Sequence, residues 1–277
     1  YAIKIYSLSD PENPQLVATH NFSGQIAAFD AVGDIVFTLV GNKLIALDIS
    51  NPSAPEEMGE LELATQGRCI AAGSGLVFVG YGEGGGIPDG QAINVVQPTS
   101  MTVATDMPIS FRYCDYFYNI LYCAQGTTPW AICAIDVENI DQPNIIASAV
   151  SEGRNLDISA TPWRFLYAAE GSPTGMTEGI FAAYNARTLE TFCSDTISNH
   201  SAKKVGFQDN FVYVLFEADA GENHLLQPYF IYHIEHEPLP LPSITVSGGS
   251  DITAGDGYIY VASKDGTGKI MVYKHEY

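Results

Sequence analysis

Positive charge is the scarcest property of this chain. Of its 277 residues only 12 are Lys or Arg, against 32 Asp or Glu, which leaves a net charge of −20. Phosphate backbones and anionic lipid surfaces repel such a chain, so neither nucleic acid nor a charged membrane surface is expected as a partner. Charge of both signs is thin, at 16% of residues, where globular domains average about 25%. Apolar runs of about 18 residues, the length that marks a membrane span, do not occur, so no span is expected. No segment combines a helical apolar period with capping residues, which argues against helices. C-x-x-C spacing is missing, so Cys69, Cys114, Cys123, Cys133 and Cys193 do not form a zinc ribbon, and five cysteines cannot all pair with one another. The chain opens on Tyr1, without Met or a leader, inside a strand pattern; upstream residues are expected to have been removed.

What the chain does have suits strands and turns. Apolar residues make up 46%, enough for a sizeable core, with 26 Gly and 15 Pro for short turns. The 16 Tyr and 13 Phe are side chains that pack well across a pleated face. These residues recur with a period. Leu8-Ser9-Asp10-Pro11-Glu12-Asn13-Pro14 and Ile49-Ser50-Asn51-Pro52-Ser53-Ala54-Pro55 share one pattern at an offset of 41, and Val137–Pro143 is a degenerate copy 88 residues after the second, two units of 44. Between them, apolar segments with a central aromatic recur at Phe37, Phe78, Tyr122, Tyr167, Tyr213 and Tyr260, in steps of 41, 44, 45, 46 and 47. A period of about 40–50 residues with several strands in each repeat is the signature of a β-propeller.

Each unit reads as four strands: a short first strand, a Gly/Asp turn such as Gly33-Asp34, Gly73-Ser74-Gly75 or Gly255-Asp256-Gly257, a second strand carrying the aromatic, a third such as Leu44–Ile49, and, after the Asn/Asp-Pro turn, a fourth such as Glu57–Leu63. The expected fold is therefore all-β, one propeller of about six four-stranded blades over residues 1–277. Complete repeats fall at 25–67, 68–109, 110–154, 155–199 and 200–249. Residues 1–24 and 250–277 are expected to meet as a closing blade, because a ring has to tie its free sheet edges together. Ile3–Leu8 and Ile270–Lys274 both read as third strands, so one is surplus and seven blades is the alternative.

Leu44-Ile45-Ala46-Leu47-Asp48-Ile49-Ser50-Asn51-Pro52 and Ile5–Pro11 resemble the LVIVD repeat. The other copies depart from it: Ile93–Pro98 and Phe230–His233 keep only the apolar pattern. The resemblance implies a propeller and an extracytoplasmic setting, whether periplasmic, cell-surface or secreted. It brings no catalytic residues, because the repeated motif is structural.

The few bases are unevenly placed. Arg68, Arg112, Arg154, Lys203 and Lys204 fall in or just before first strands. Arg68, Arg112 and Lys203 each precede their aromatic by ten residues, and so does Asp157. First strands line a propeller's channel, so equivalent positions converge. A cationic ring in an acidic protein suits a carboxylate, a phosphate or an acidic sugar; the plainer alternative is that the bases neutralise Asp30, Asp157 and Asp251. Other candidates are weaker. His233, Glu235, His236 and Glu237, near His224 and Glu222, lack the helical i, i+4 spacing of a zinc site and read as a solvated strand end, so no metal is expected. The Gly-rich segment Tyr81–Gly90, with Glu83 and Asp89, lacks the Lys and helix of a phosphate loop and reads as a connection. Cys123 and Cys133 straddle Thr127-Thr128-Pro129; a disulfide is one reading, buried thiols the other. His200 beside Ser201 does not make a catalytic triad. The expected role is a non-enzymatic exported module that binds a small anionic ligand, a carbohydrate or a protein, with no cofactor. The alternative is a propeller hydrolase or lyase working at the channel mouth.

Overall fold

The computed structural model describes residues 1–73, 75–82, 89–125, 129–151, 153–162, 165–171, 178–218, 223–231, 237–263 and 269–274. It is an all-β propeller. A two-stranded sheet, β1 (Ala2–Ser7) and β2 (Gln15–Asn21), comes first. Blade 1 follows as β3 (Ile26–Val32), β4 (Ile35–Val40), β5 (Lys43–Asp48) and β6 (Glu56–Glu62). Blade 2 is β7 (Cys69–Gly73), β8 (Leu76–Gly80), β9 (Gly90–Asn94) and β10 (Thr102–Asp106). Blade 3 is β11 (Tyr113–Phe117), β12 (Ile120–Ala124), β13 (Ala131–Asp136) and β14 (Asn144–Val150), and blade 4 is β15 (Arg154–Ala160), β16 (Phe165–Gly171), β17 (Glu178–Asn185) and β18 (Thr191–Ser198). Blade 5 is β19 (His200–Gln208), β20 (Phe211–Ala218), β21 (His224–Phe230) and a fourth strand in two pieces, β22 (Leu239–Pro240) and β23 (Ile244–Val246). Pro238, Pro240 and Pro242 explain that break, since none can donate to the ladder. The last sheet is β24 (Gly249–Gly255), β25 (Tyr258–Ser263) and β26 (Lys269–Lys274). All the pairings described are antiparallel, and each of the six marker aromatics lies in the second strand of its sheet.

Burial follows the stacking of sheets. In blades 1 to 5 the second and third strands are largely buried, as in β8, β12, β16 and β17, while β25 and β26 of the last sheet are more open and fourth strands such as β6 alternate between half-buried and exposed. A strand covered on both faces needs an unbroken apolar run, and these are the runs that carry the aromatics. Phe37, Phe78 and Tyr167 each sit opposite an alanine on the third strand, Ala46, Ala92 and Ala183, so a large side chain is matched by a small one.

The chain forms two compact units, residues 1–126 with 134–146 and residues 127–133 with 147–277. In the first, clusters around Phe37, Leu39 and Ile93 and around Phe78, Phe111 and Leu121 fill the spaces between blades, and Ile3 and Phe22 pack on Val36 and Leu47. In the second, Tyr167, Phe181, Phe216 and Tyr229 form one cluster, and Tyr213, Leu215, Ile259 and Val261 another.

The repeated Asp has a local task. Asp48, Asn94, Asp136 and Asn185 end the third strands of blades 1 to 4, and each accepts a hydrogen bond from the amide two residues on, Ser50, Val96, Glu138 and Arg187. The side chain imitates a backbone turn and directs the chain into the fourth strand. Ser7 does the same for Ser9 at the end of β1, so β1 is a third strand by its chemistry. With β26 also in third place, the two terminal sheets hold five strands, one more than a blade uses.

Candidate functional site

The first strands meet their second strands in a common register. Asp30, Ala71, Asp115, Gly206 and Thr253 lie opposite Phe37, Phe78, Tyr122, Tyr213 and Tyr260, always seven residues ahead of the aromatic. In blade 4 the residue opposite Tyr167 is Ser159, eight ahead, because that turn is one residue longer; the Thr161 amide and hydroxyl both close it on the Phe165 carbonyl. Three places before the residue opposite the aromatic, the first strand carries an extra residue. Ala27, Leu156, Lys203 and Ser250 are such bulges. Arg68 and Arg112 occupy the same place. The Arg68 amide donates to the Gly80 carbonyl at 2.7 Å while Cys69 also faces Gly80, and the Arg112 amide donates to the Ala124 carbonyl at 3.0 Å while Tyr113 also faces Ala124. Bulges turn a side chain away from the pleat, and they concentrate near functional sites.

This register puts Arg68, Arg112 and Lys203 at one repeat position and Asp157 at another. Counted back from the aromatic, Asp157 has the same number, but the longer turn of blade 4 carries it one place on, level with Lys204 and Asp251. There the second unit builds an ionic row across three first strands. Lys204 Nζ lies 3.5 Å from Asp157 Oδ1 and 3.7 Å from Asp251 Oδ1. Asp157 Oδ2 also accepts the Val205 amide at 3.1 Å, which ties β15 to β19. Burial raises the Asp157 carboxyl pKa to about 6, against the opposing pull of Lys204 and the Val205 amide. Lys203 is occupied too, 2.7 Å from Glu217 Oε2 on β20.

Blades 2 and 3 differ. Arg68 and Arg112 are exposed, and among the described residues neither guanidinium has a hydrogen bond or an ion pair. Their strands, β7 and β11, are packed neighbours within the first unit. Arg154, the first residue of β15, faces Gly171 and is exposed. Asp30, the acid of blade 1, is met by backbone: its Oδ2 accepts the Ala72 amide at 2.8 Å and its Oδ1 the Ala31 amide, while burial still raises its pKa.

Two features escaped the sequence reading. Glu170 is fully buried at the end of β16, where it accepts the Tyr184 hydroxyl at 2.6 Å and the Gly153 amide at 2.9 Å. Its signal was an acid closing the apolar run Phe165–Gly171. The other is a close approach of Cys114 to Cys69, Sγ to Sγ 3.2 Å, across neighbouring blades; all five cysteines are thiols. Residues 232–236, with His233, Glu235 and His236, lie outside the described residues, as do Glu222, Glu83, Ser74, Thr127 and Thr128. Among the described residues no three His, Cys, Asp or Glu side chains gather as a metal site.

The LVIVD-repeat family model matches residues 33–62, the hairpin, third strand and Asn-Pro turn of blade 1. The chain is a propeller that carries an LVIVD repeat in blade 1. No curated protein matches the chain in sequence. Among solved structures, a chain of a mitotic checkpoint complex is similar at 11% identity and a TM-score of 0.72, over 99% of this chain and 82% of that one. BamB from Moraxella catarrhalis is similar at 15% identity and a TM-score of 0.59, over 95% and 88%. Hsv2 from Kluyvelomyces marxianus is similar at 10% identity and 0.67, over 95% and 82%. At such identities the likeness is one of fold. Among the described residues no helix is long and apolar enough to cross a membrane.

Proposed function

We propose that this LVIVD-repeat propeller is a non-catalytic binding module of the cell exterior, and that it holds an anionic group between Arg68 and Arg112. One observation carries the reading: two exposed guanidiniums at the same bulge of neighbouring blades have no acidic partner among the described residues, in a chain of net charge −20. Two like charges on packed strands repel unless something balances them. A carboxylate or sulfate offers a guanidinium two parallel acceptors, a geometry that Lys cannot match. Small acids, acidic sugars and acidic side chains of a partner protein all present that group. The LVIVD repeat and the likeness to BamB support a setting outside the cytoplasm, and a propeller that is part of a named protein complex is in keeping with a scaffold role.

The test is calorimetry with sulfate and with citrate at low ionic strength, where attraction is least screened. Binding is expected, weakened at least several-fold by Arg112→Ala and similarly by Arg68→Ala, as loss of a charge-assisted contact usually is. Absence of binding by the wild type, or binding that both variants retain, would overturn the reading.

A further inference from the structure

We infer that Cys69 and Cys114 are a disulfide site that staples blade 2 to blade 3. The inference stands on the thiol pair and holds whether or not Arg68 and Arg112 bind an anion. Cys69 opens β7 and Cys114 is the second residue of β11, first strands of adjoining blades within one compact unit. The Cys114 thiol donates to the Cys69 sulfur, and the sulfurs are 3.2 Å apart. Closing that gap to a bond of about 2.05 Å needs a shift of roughly 1 Å, within reach of side-chain rotation. The space for it is built. A Cβ on Gly80 would come within 2.7 Å of the Cys69 sulfur and 2.5 Å of the Phe111 ring, so the glycine leaves room that the thiol occupies.

The neighbours also decide which thiol acts first. Cys69 is buried and Cys114 half-buried, so Cys114 is the less enclosed of the two and the one expected to react first. A small oxidised dithiol, such as those that maintain extracytoplasmic compartments, supplies the oxidant. The Cys114 thiolate attacks one sulfur of that disulfide and expels the other as a thiolate. The Cys69 thiolate then displaces the second, so two protons and two electrons leave the protein and the oxidant departs as two thiols. Burial holds the Cys114 thiol well above its ordinary pKa, reinforced by Cys69, Cys123 and Asp115, so the first step is slow at neutral pH and speeds up as pH rises. A bond there closes a loop spanning 45 residues of chain.

The test uses the native full chain. It is incubated with oxidised glutathione at about pH 8, quenched in acid, alkylated under denaturing conditions and analysed by mass spectrometry. The expected result is a loss of two hydrogens, three alkylated cysteines instead of five, and one cross-linked peptide pair containing Cys69 and Cys114. The oxidised protein should melt about 5–10 °C above the reduced one, since the loop constrains the unfolded chain. Five alkylated cysteines, a bond that uses Cys123 or Cys133, a disulfide-linked dimer, or an unchanged melting temperature would each overturn the inference. So would two thiolates holding a soft cation, seen as copper or zinc retained by the reduced protein through gel filtration.

Discussion

Blades 2 and 3 on one side, and blade 5 on the other, place cations at the same bulge of the first strand and treat them in opposite ways. In blade 5 Lys203 is taken up by Glu217, and its neighbour Lys204 is held by Asp157 and Asp251. In blades 2 and 3 Arg68 and Arg112 meet no acid among the described residues. The same position in the repeat therefore serves cohesion in one place and is left open to solvent in another. Position alone does not assign a role; what faces the position does. The difference also lies in the choice of side chain, since Lys is a compact charge that suits a bridge between two carboxylates, and Arg is a planar fork that suits an oxyanion from outside.

The sharpest way to break this comparison is to remove the cations one at a time and measure stability. Lys204→Ala leaves Asp157 partly buried with only a backbone amide to hold its charge. Breaking a fully buried pair costs about 3–5 kcal/mol; here both partners keep some exposure, so about 2 kcal/mol is expected, or a melting temperature about 4–8 °C lower. Arg68→Ala and Arg112→Ala should each stay within about 0.5 kcal/mol of wild type, as surface changes do. Urea unfolding of the three variants reads all of this at once. Equal losses would show that the arginines are structural and that the two regions do not differ.

The next effect is a pH dependence confined to the second unit. Asp157 has an ordinary carboxyl pKa of 3.8 that burial raises to about 6 in the fold. Between those two values the folded chain holds its proton more tightly than the unfolded chain. Its contribution to stability is therefore fully present below about pH 4, declines as pH rises through about 6, and is gone above that. The whole shift corresponds to no more than about 3 kcal/mol, and partial solvent contact brings the expected change to about 1–2 kcal/mol. Other carboxylates have slopes of their own, so the quantity to measure is the difference in urea stability between wild type and Asp157→Asn at pH 4.5 and at pH 7. It should move in favour of the Asn variant at the higher pH. Two parallel curves would mean that Lys204 cancels the burial cost.

Much of the fold was legible in the sequence because its markers are local. The aromatics of the second strands, the Asn/Asp-Pro turns and the apolar runs all follow from strands covered on both faces, and each is visible without knowing which blade lies beside which. The site was legible only as far as spacing is a faithful proxy for register. Spacing matched strand register for Arg68, Arg112 and Lys203. It failed for Asp157, because one extra residue in the turn before Phe165 leaves the count to the aromatic unchanged and shifts the strand by one place. The Cys69–Cys114 approach was out of reach for a related reason: pairs within a blade can be guessed from hairpin spacing, whereas pairs between blades depend on how sheets stack. Glu170 was visible as a residue but not as a buried one. The closure of the propeller by residues 1–24 and 250–277 remains our proposal. Loss of Ile3 on deleting residues 1–20 strips part of the cluster around Val36 and Leu47, so a clear fall in melting temperature is the outcome that fits it.

The smallest expected effect sharpens the comparison most. Glu217→Gln frees Lys203 and gives blade 5 an unpaired cation at the bulge, as in blades 2 and 3. If an open cation were all that an anion needs, the variant would gain a second binding site. The bulge residues on either side argue otherwise, because Leu156 and Ser250 carry no charge, and a single exposed ammonium is a weak anchor. Sulfate binding should therefore keep its stoichiometry. Stability should fall by no more than about 0.5 kcal/mol, since the lost pair is more than a third exposed on both sides and such bridges contribute little. Calorimetric titration of the variant beside wild type gives the number of sites directly. A doubled stoichiometry would mean that one free cation suffices, and the pairing of Arg68 with Arg112 on neighbouring strands would then lose its significance.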